Sequence, residues 1–124
     1  MAVAALLAVL LGAAHSYLGE RFILIRLFRR GDLPKLFGGT EFTQQTLRFA
    51  WHVTTVAWLG LAALLLTLAM PGAVDARAMG RIIGTTFAVS GLAALVGSRG
   101  RHLSWIVFFA IAALTFWGLG GEQY

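Results

Sequence analysis

The sequence predicts an all-α integral membrane protein, four transmembrane helices in a bundle with an amphipathic interfacial segment after the first helix. Three observations carry this expectation. Residues 2–19, 49–70, 82–98 and 103–121 contain no Lys, Arg, Asp or Glu. As helices they reach roughly 24 to 33 Å, close to the hydrocarbon thickness of a bilayer. Hydrophobic residues make up 59% of the 124 and charged residues 12%, about half the charged fraction usual in soluble proteins. The apolar side chains also run right round each helical wheel, where a soluble helix would keep a polar outer face. Helix is the expected form because backbone in lipid must satisfy its own hydrogen bonds, and the alternation of a membrane barrel is absent.

The segment over 2–19 opens Met1-Ala2-Val3 without a basic leader and runs longer than a signal core, so it is expected to persist as a mature span. Residues 20–48 form a basic connection. On a wheel Arg26, Arg29 and Arg30 gather on one side, and Ile23, Leu24, Leu27 and Phe28 on the other. The first helix is therefore expected to emerge, or to bend at Gly19, into the headgroup zone. Gly31-Asp32-Leu33-Pro34 should end it, Gly38-Gly39 should turn, and Thr40 with Glu41 should start the second helix. Pro71-Gly72 is expected to close that helix and Gly97 to Gly100 to make the last turn. Gly80, Gly84 and Gly91 mark the third span as the small-residue helix, suited to close packing within the bundle or against a second copy. Thr85, Thr86 and Ser90 are expected to bond their own helix carbonyls. The chain reads as a single domain, 1–124, without repeats.

Charge sets the expected orientation. Arg21, Arg26, Arg29, Arg30, Lys35 and Arg48 lie in the first connection and Arg99 and Arg101 in the third, eight basic residues on one side. Arg77 and Arg81 lie on the other. The positive-inside rule puts the eight in the cytoplasm, giving a multi-pass protein of the bacterial inner (plasma) membrane type with both termini on the non-cytoplasmic side. The net charge of +5 is accordingly a topology signal, and no nucleic-acid partner is expected. The absence of Cys excludes disulfides, thiolate metal sites and Fe–S clusters. No span carries Asp or Glu, so the chain does not resemble the small four-span multidrug exporters, which need a carboxylate at mid-membrane.

All three histidines fall near the arginine-rich surface. His15 lies about 7 Å inside the cytoplasmic end of the first helix, His52 about 6 Å inside the second, and His102 opens the last. Ionisable groups in a span are costly and point to function. Arg48, His52 and Thr55 share one helix face, and Ser16 and Glu20 share another. His15, Glu20, Arg48, His52 and His102 are therefore the candidate ligand-binding residues, and Arg21, Arg26, Arg29, Arg30 and Lys35 the candidate lipid-headgroup contacts. The bland reading is that the imidazoles brace the helices through Glu20 and backbone carbonyls. The sharper ones are a lipid or quinone headgroup site, or haem or metal held by His15 and His52. No span has His-x-x-His, Glu-x-x-His or His-Glu-x-x-His spacing. Catalysis would need His52 with Glu20 as its acid–base pair. The expected role is non-enzymatic, through helix–helix contact or membrane lipids, as a homo-oligomer or an accessory subunit of a larger membrane complex.

Overall fold

The computed structural model describes residues 1–70, 72 and 75–121. Among the described residues four helices are long and apolar enough to cross a membrane: α1 (Ala2–Phe28), α2 (Glu41–Ala69), α3 (Ala76–Gly97) and α4 (Ser104–Gly121). Three are longer than the uncharged stretches, α3 because it starts at Ala76, ahead of Arg77 and Arg81. Gly19 keeps helical angles, φ −62° and ψ −48°, so α1 does not stop there. It passes through a π-helical stretch, Gly19–Leu24, and ends at Phe28. Two turns of α2, from Glu41 to Arg48, precede its uncharged part, because polar and charged side chains continue a helix readily outside lipid.

The connections follow local chemistry. After α1, Leu36 and Gly39 pair across a two-residue turn in which Phe37 and Gly38 take φ of +55° and +88°, as a type I′ turn requires. Arg30 and Asp32 form an exposed pair at 2.8 Å in that connection. The guanidinium holds the Asp32 carboxyl below its ordinary range and is itself raised, so the pair is intact at neutral pH and is lost as acidity protonates Asp32. Thr40 precedes α2 as expected, but its hydroxyl receives the Gln44 amide rather than capping backbone N–H groups. Asp75 does cap α3, accepting from the Arg77 N–H at 3.0 Å. Pro71, the expected stop of α2, lies outside the described residues. The last turn forms where Arg99 and Gly100 take positive φ and the Gly100 N–H closes on the Leu95 carbonyl.

Among the described residues, extensive packing joins only chain neighbours: α1 to α2, α2 to α3, and α3 to α4. Small residues line the seams. The buried apolar set is Ala5, Leu24, Phe49, Ala62, Ala94 and Ala112, while Leu6, Leu10, Val107, Leu114 and Trp117 stay more than half exposed. That distribution inverts a water-soluble core, where the large apolar side chains go inside. On α3, a Cβ added to Gly80, Gly84 or Gly91 would meet Leu119, Phe116 or Phe109 of α4 at 2.6 to 2.9 Å. The stripe of glycines thus receives α4. Thr86 and Ser90 donate to the Ile82 and Thr86 carbonyls of their own helix, whereas Thr85 makes no such bond.

Candidate functional site

One layer of polar side chains joins α1 to α2 about a turn inside the arginine-rich end. The helix faces that meet are simple. Gly12, His15, Ser16 and Gly19 form a stripe on α1, and Arg48, Trp51, His52, Thr55 and Trp58 form one on α2. Gly19 matters because a Cβ there would run into the Trp51 indole, which donates to the His15 carbonyl at 3.1 Å. With no side chain at that point the two backbones approach closely, and Ser16 reaches across to α2. The π-helical stretch begins at the same residue, and its wider turn presents Glu20 to α2 while burying Leu24.

Glu20 is the hub at the outer edge. It accepts both Arg48 Nη2 at 2.8 Å and Arg48 Nε at 3.2 Å, a two-pronged contact, and its Oε2 lies 3.3 Å from His52 Nε2. The Arg48 guanidinium also sits 5.0 Å over the Phe28 ring. On the inner side His52 Nδ1 meets Ser16 Oγ at 2.8 Å, Ser16 Oγ meets Thr55 Oγ1 at 2.8 Å, and Thr55 donates to the Gly12 carbonyl at 3.4 Å. From Glu20 to Gly12 this makes four contacts in a row. A neutral imidazole and two hydroxyls supply three hydrogens for them; an imidazolium supplies the fourth. The row is complete with the ring charged and one hydrogen short with it neutral.

His15 lies beside this row without joining it. Its ring stacks on Trp51 at 4.5 Å, nearly parallel, and meets Trp58 edge-on at 5.0 Å. Its Nε2 is buried without a partner. His102 stands apart from the other two histidines. It packs on Phe42 and Phe49, and its Nδ1 contacts Ser104 at the start of α4 while its N–H reaches Ser98. Among the described residues no three His, Asp or Glu side chains converge to hold a metal ion. Both nitrogens of His52 are spent on Ser16 and Glu20, so that ring offers no free lone pair for a metal or haem iron while the row is intact.

The opposite face of the same α2 residues is open. Gln45, Arg48, Phe49 and His52 form one wall of a cavity of about 470 Å³, and Ala93, Val96, Gly97 and Arg99 form the other. A Cβ on Gly97 would lie 2.6 Å from Phe49 Cβ, so the two walls touch at its base. Two guanidiniums, an imidazole and an amide lie above apolar surface. Arg99 pairs with Glu41 at 2.8 Å, but both side chains are more than half exposed, and such a pair is worth little. Arg48 spends two of its five N–H donors on Glu20. Gln45 Nε2 donates to Glu41, while its Oε1 is buried and has no partner.

The structure thus brings Glu20, Arg48 and His52 together, sets His15 beside them, and leaves His102 out of the group. Arg21, Arg26, Arg29 and Lys35 are exposed in α1 and the following connection, as is Arg30 with its Asp32 partner. Sequence reasoning missed Trp51, Trp58, Gln45 and Arg99. The α2 spacings 51, 55, 58 and 45, 48, 52 were the signal, since each puts its residues on one helix face. Comparison with known protein families, with curated proteins and with solved structures gives no match.

Proposed function

We propose that this is a multi-pass, non-enzymatic membrane protein that holds the phosphate of an anionic lipid at its arginine-rich end, in the cavity between α2 and α3. The observation that carries the reading is the cavity itself: Arg48 and Arg99 stand above walls made of Phe49, Ala93 and Val96. Guanidinium forks match phosphate oxygens, and the apolar walls suit the start of an acyl chain. A headgroup hydroxyl would supply the donor that buried Gln45 Oε1 lacks. The surrounding charge favours an anion, since residues 20–48 and 99–102 hold eight basic and three acidic side chains. The polar row from Glu20 to Gly12 is the brace that fixes Arg48 and His52 from behind. On this reading the arginine-rich end faces the cytoplasm of a bacterial-type inner membrane, with both termini on the other side.

Native mass spectrometry of the protein from mixed vesicles tests this. Phosphatidylglycerol should be retained in preference to phosphatidylcholine, and Arg99→Gln should lower the retention of one bound phosphatidylglycerol about fivefold, the weight of one basic contact. Equal retention of the two lipids, or an Arg99→Gln protein that keeps as many phosphatidylglycerol molecules bound as the parent, would refute the assignment. Displacement by inorganic phosphate alone would assign the cavity to a soluble anion instead.

A further inference from the structure

A second cavity on the α2–α3 seam lies toward the opposite end of the helices. It encloses about 410 Å³ between Val56, Leu59 and Ala63 of α2 and Arg81, Thr85 and Val89 of α3. Arg81, Thr85 and Val89 follow one another at four-residue steps, so the groove descends α3 for about 12 Å from a charged mouth to an apolar floor. Gly60 makes the groove possible. A side chain there would collide with Thr86, so the helices touch at that point and their larger side chains splay to either side.

Three features of the mouth call for a ligand. Arg81 is exposed and, among the described residues, has no ion pair or hydrogen bond, unlike Arg30, Arg48 and Arg99 with their carboxylates. It stands about five residues inside the end of α3, beside an apolar groove, where an unpaired cation is costly. Thr85, one turn deeper, is the hydroxyl of its group that does not bond back to its own helix, and it lines the groove.

We infer that this groove is a second anionic-phospholipid site, in the other leaflet, with the lipid phosphate on Arg81, an ester oxygen on Thr85, and an acyl chain over Leu59, Val56 and Val89. The occupant is a lipid because the charged group sits only at the mouth and the remainder is apolar, the division of a phospholipid. This inference rests on the reading that the helices cross a membrane, but not on the cavity at Arg48 and Arg99. The two sites share no residue.

A photo-crosslinking amino acid at Val89 tests it in nanodiscs of mixed phosphatidylglycerol and phosphatidylcholine. The adduct should be enriched in phosphatidylglycerol over its share of the bilayer. Arg81→Gln should cut that enrichment about fivefold, and Arg99→Gln should leave it unchanged. Adducts that merely follow bilayer composition, or an Arg81→Gln protein with undiminished enrichment, would overturn the inference. So would a crosslinked dimer in place of a lipid adduct, which would give the groove to a second copy. Loss of enrichment with Arg99→Gln alone would show that the Val89 signal reports the other cavity.

Discussion

Ser16 carries the smallest side chain of the polar row, and its loss should cost most relative to its size. Its hydroxyl touches both His52 Nδ1 and Thr55 Oγ1 at 2.8 Å. Ser16→Ala removes both contacts and leaves two part-buried polar groups without that partner, between helices where little water is at hand. The expected destabilisation is about 1–3 kcal/mol, the penalty for stranding a buried polar group. Unfolding by a denaturing detergent, followed through the Trp51 and Trp58 fluorescence, measures it. A change below about 0.5 kcal/mol, the range of an ordinary surface substitution, would mean the row does not brace the helices. His15 makes the contrast: its ring is held by two indoles, yet Nε2 has no partner, so it contributes packing rather than a link in the row.

Seams made of small residues decide how the helices meet. Gly84 lies under the Phe116 ring, with a hypothetical Cβ only 2.8 Å from Cζ, so Gly84→Leu must push α4 away. Overpacking of this kind costs about 1–3 kcal/mol. The variant should keep its helix content by circular dichroism and its particle size by light scattering, while unfolding at lower detergent fraction. An altered particle size with unaltered stability would instead assign the stripe to contact between copies. The sequence announced this stripe but not its occupant, because three glycines on one face say that something approaches closely without saying what. Helix existence was legible from the uncharged stretches. The start of α2 at Glu41 and the run of α1 past Gly19 were legible too; what was not is that α3 begins at Ala76, six residues ahead of its uncharged run. Depth placed the three histidines in one layer, but His102 lies in the connection before α4 against Phe42 and Phe49, and what His52 meets depends on helix packing at positions such as Gly19 that no side-chain pattern reveals.

At the scale of the molecule, charge is segregated along the helix axes. The Arg99–Glu41 pair and the Phe42–His102 contact tie the third connection to the start of α2, so the first and third connections share one end. That is the arrangement the positive-inside rule needs. The chain has no Cys, so a single Cys introduced at Lys35 is an unambiguous reporter. In intact cells it should stay unlabelled by a membrane-impermeant maleimide and react once the membrane is opened, whereas a Cys at Ala2 should react at once. The reverse pattern would invert the orientation and move the Arg48–Arg99 cavity to the outer leaflet.

The serial packing of the four helices has a consequence for biogenesis. Among the described residues each helix packs extensively only on its neighbours in the chain, so most of the helix packing does not wait for a distant segment to be synthesised. Such short-range wiring corresponds to low contact order and rapid assembly. Helices leaving the ribosome one by one can dock in the order they are made, α1 receiving α2 around Gly19 before α3 exists. The last pair then closes over Gly80, Gly84 and Gly91 as the final step of synthesis.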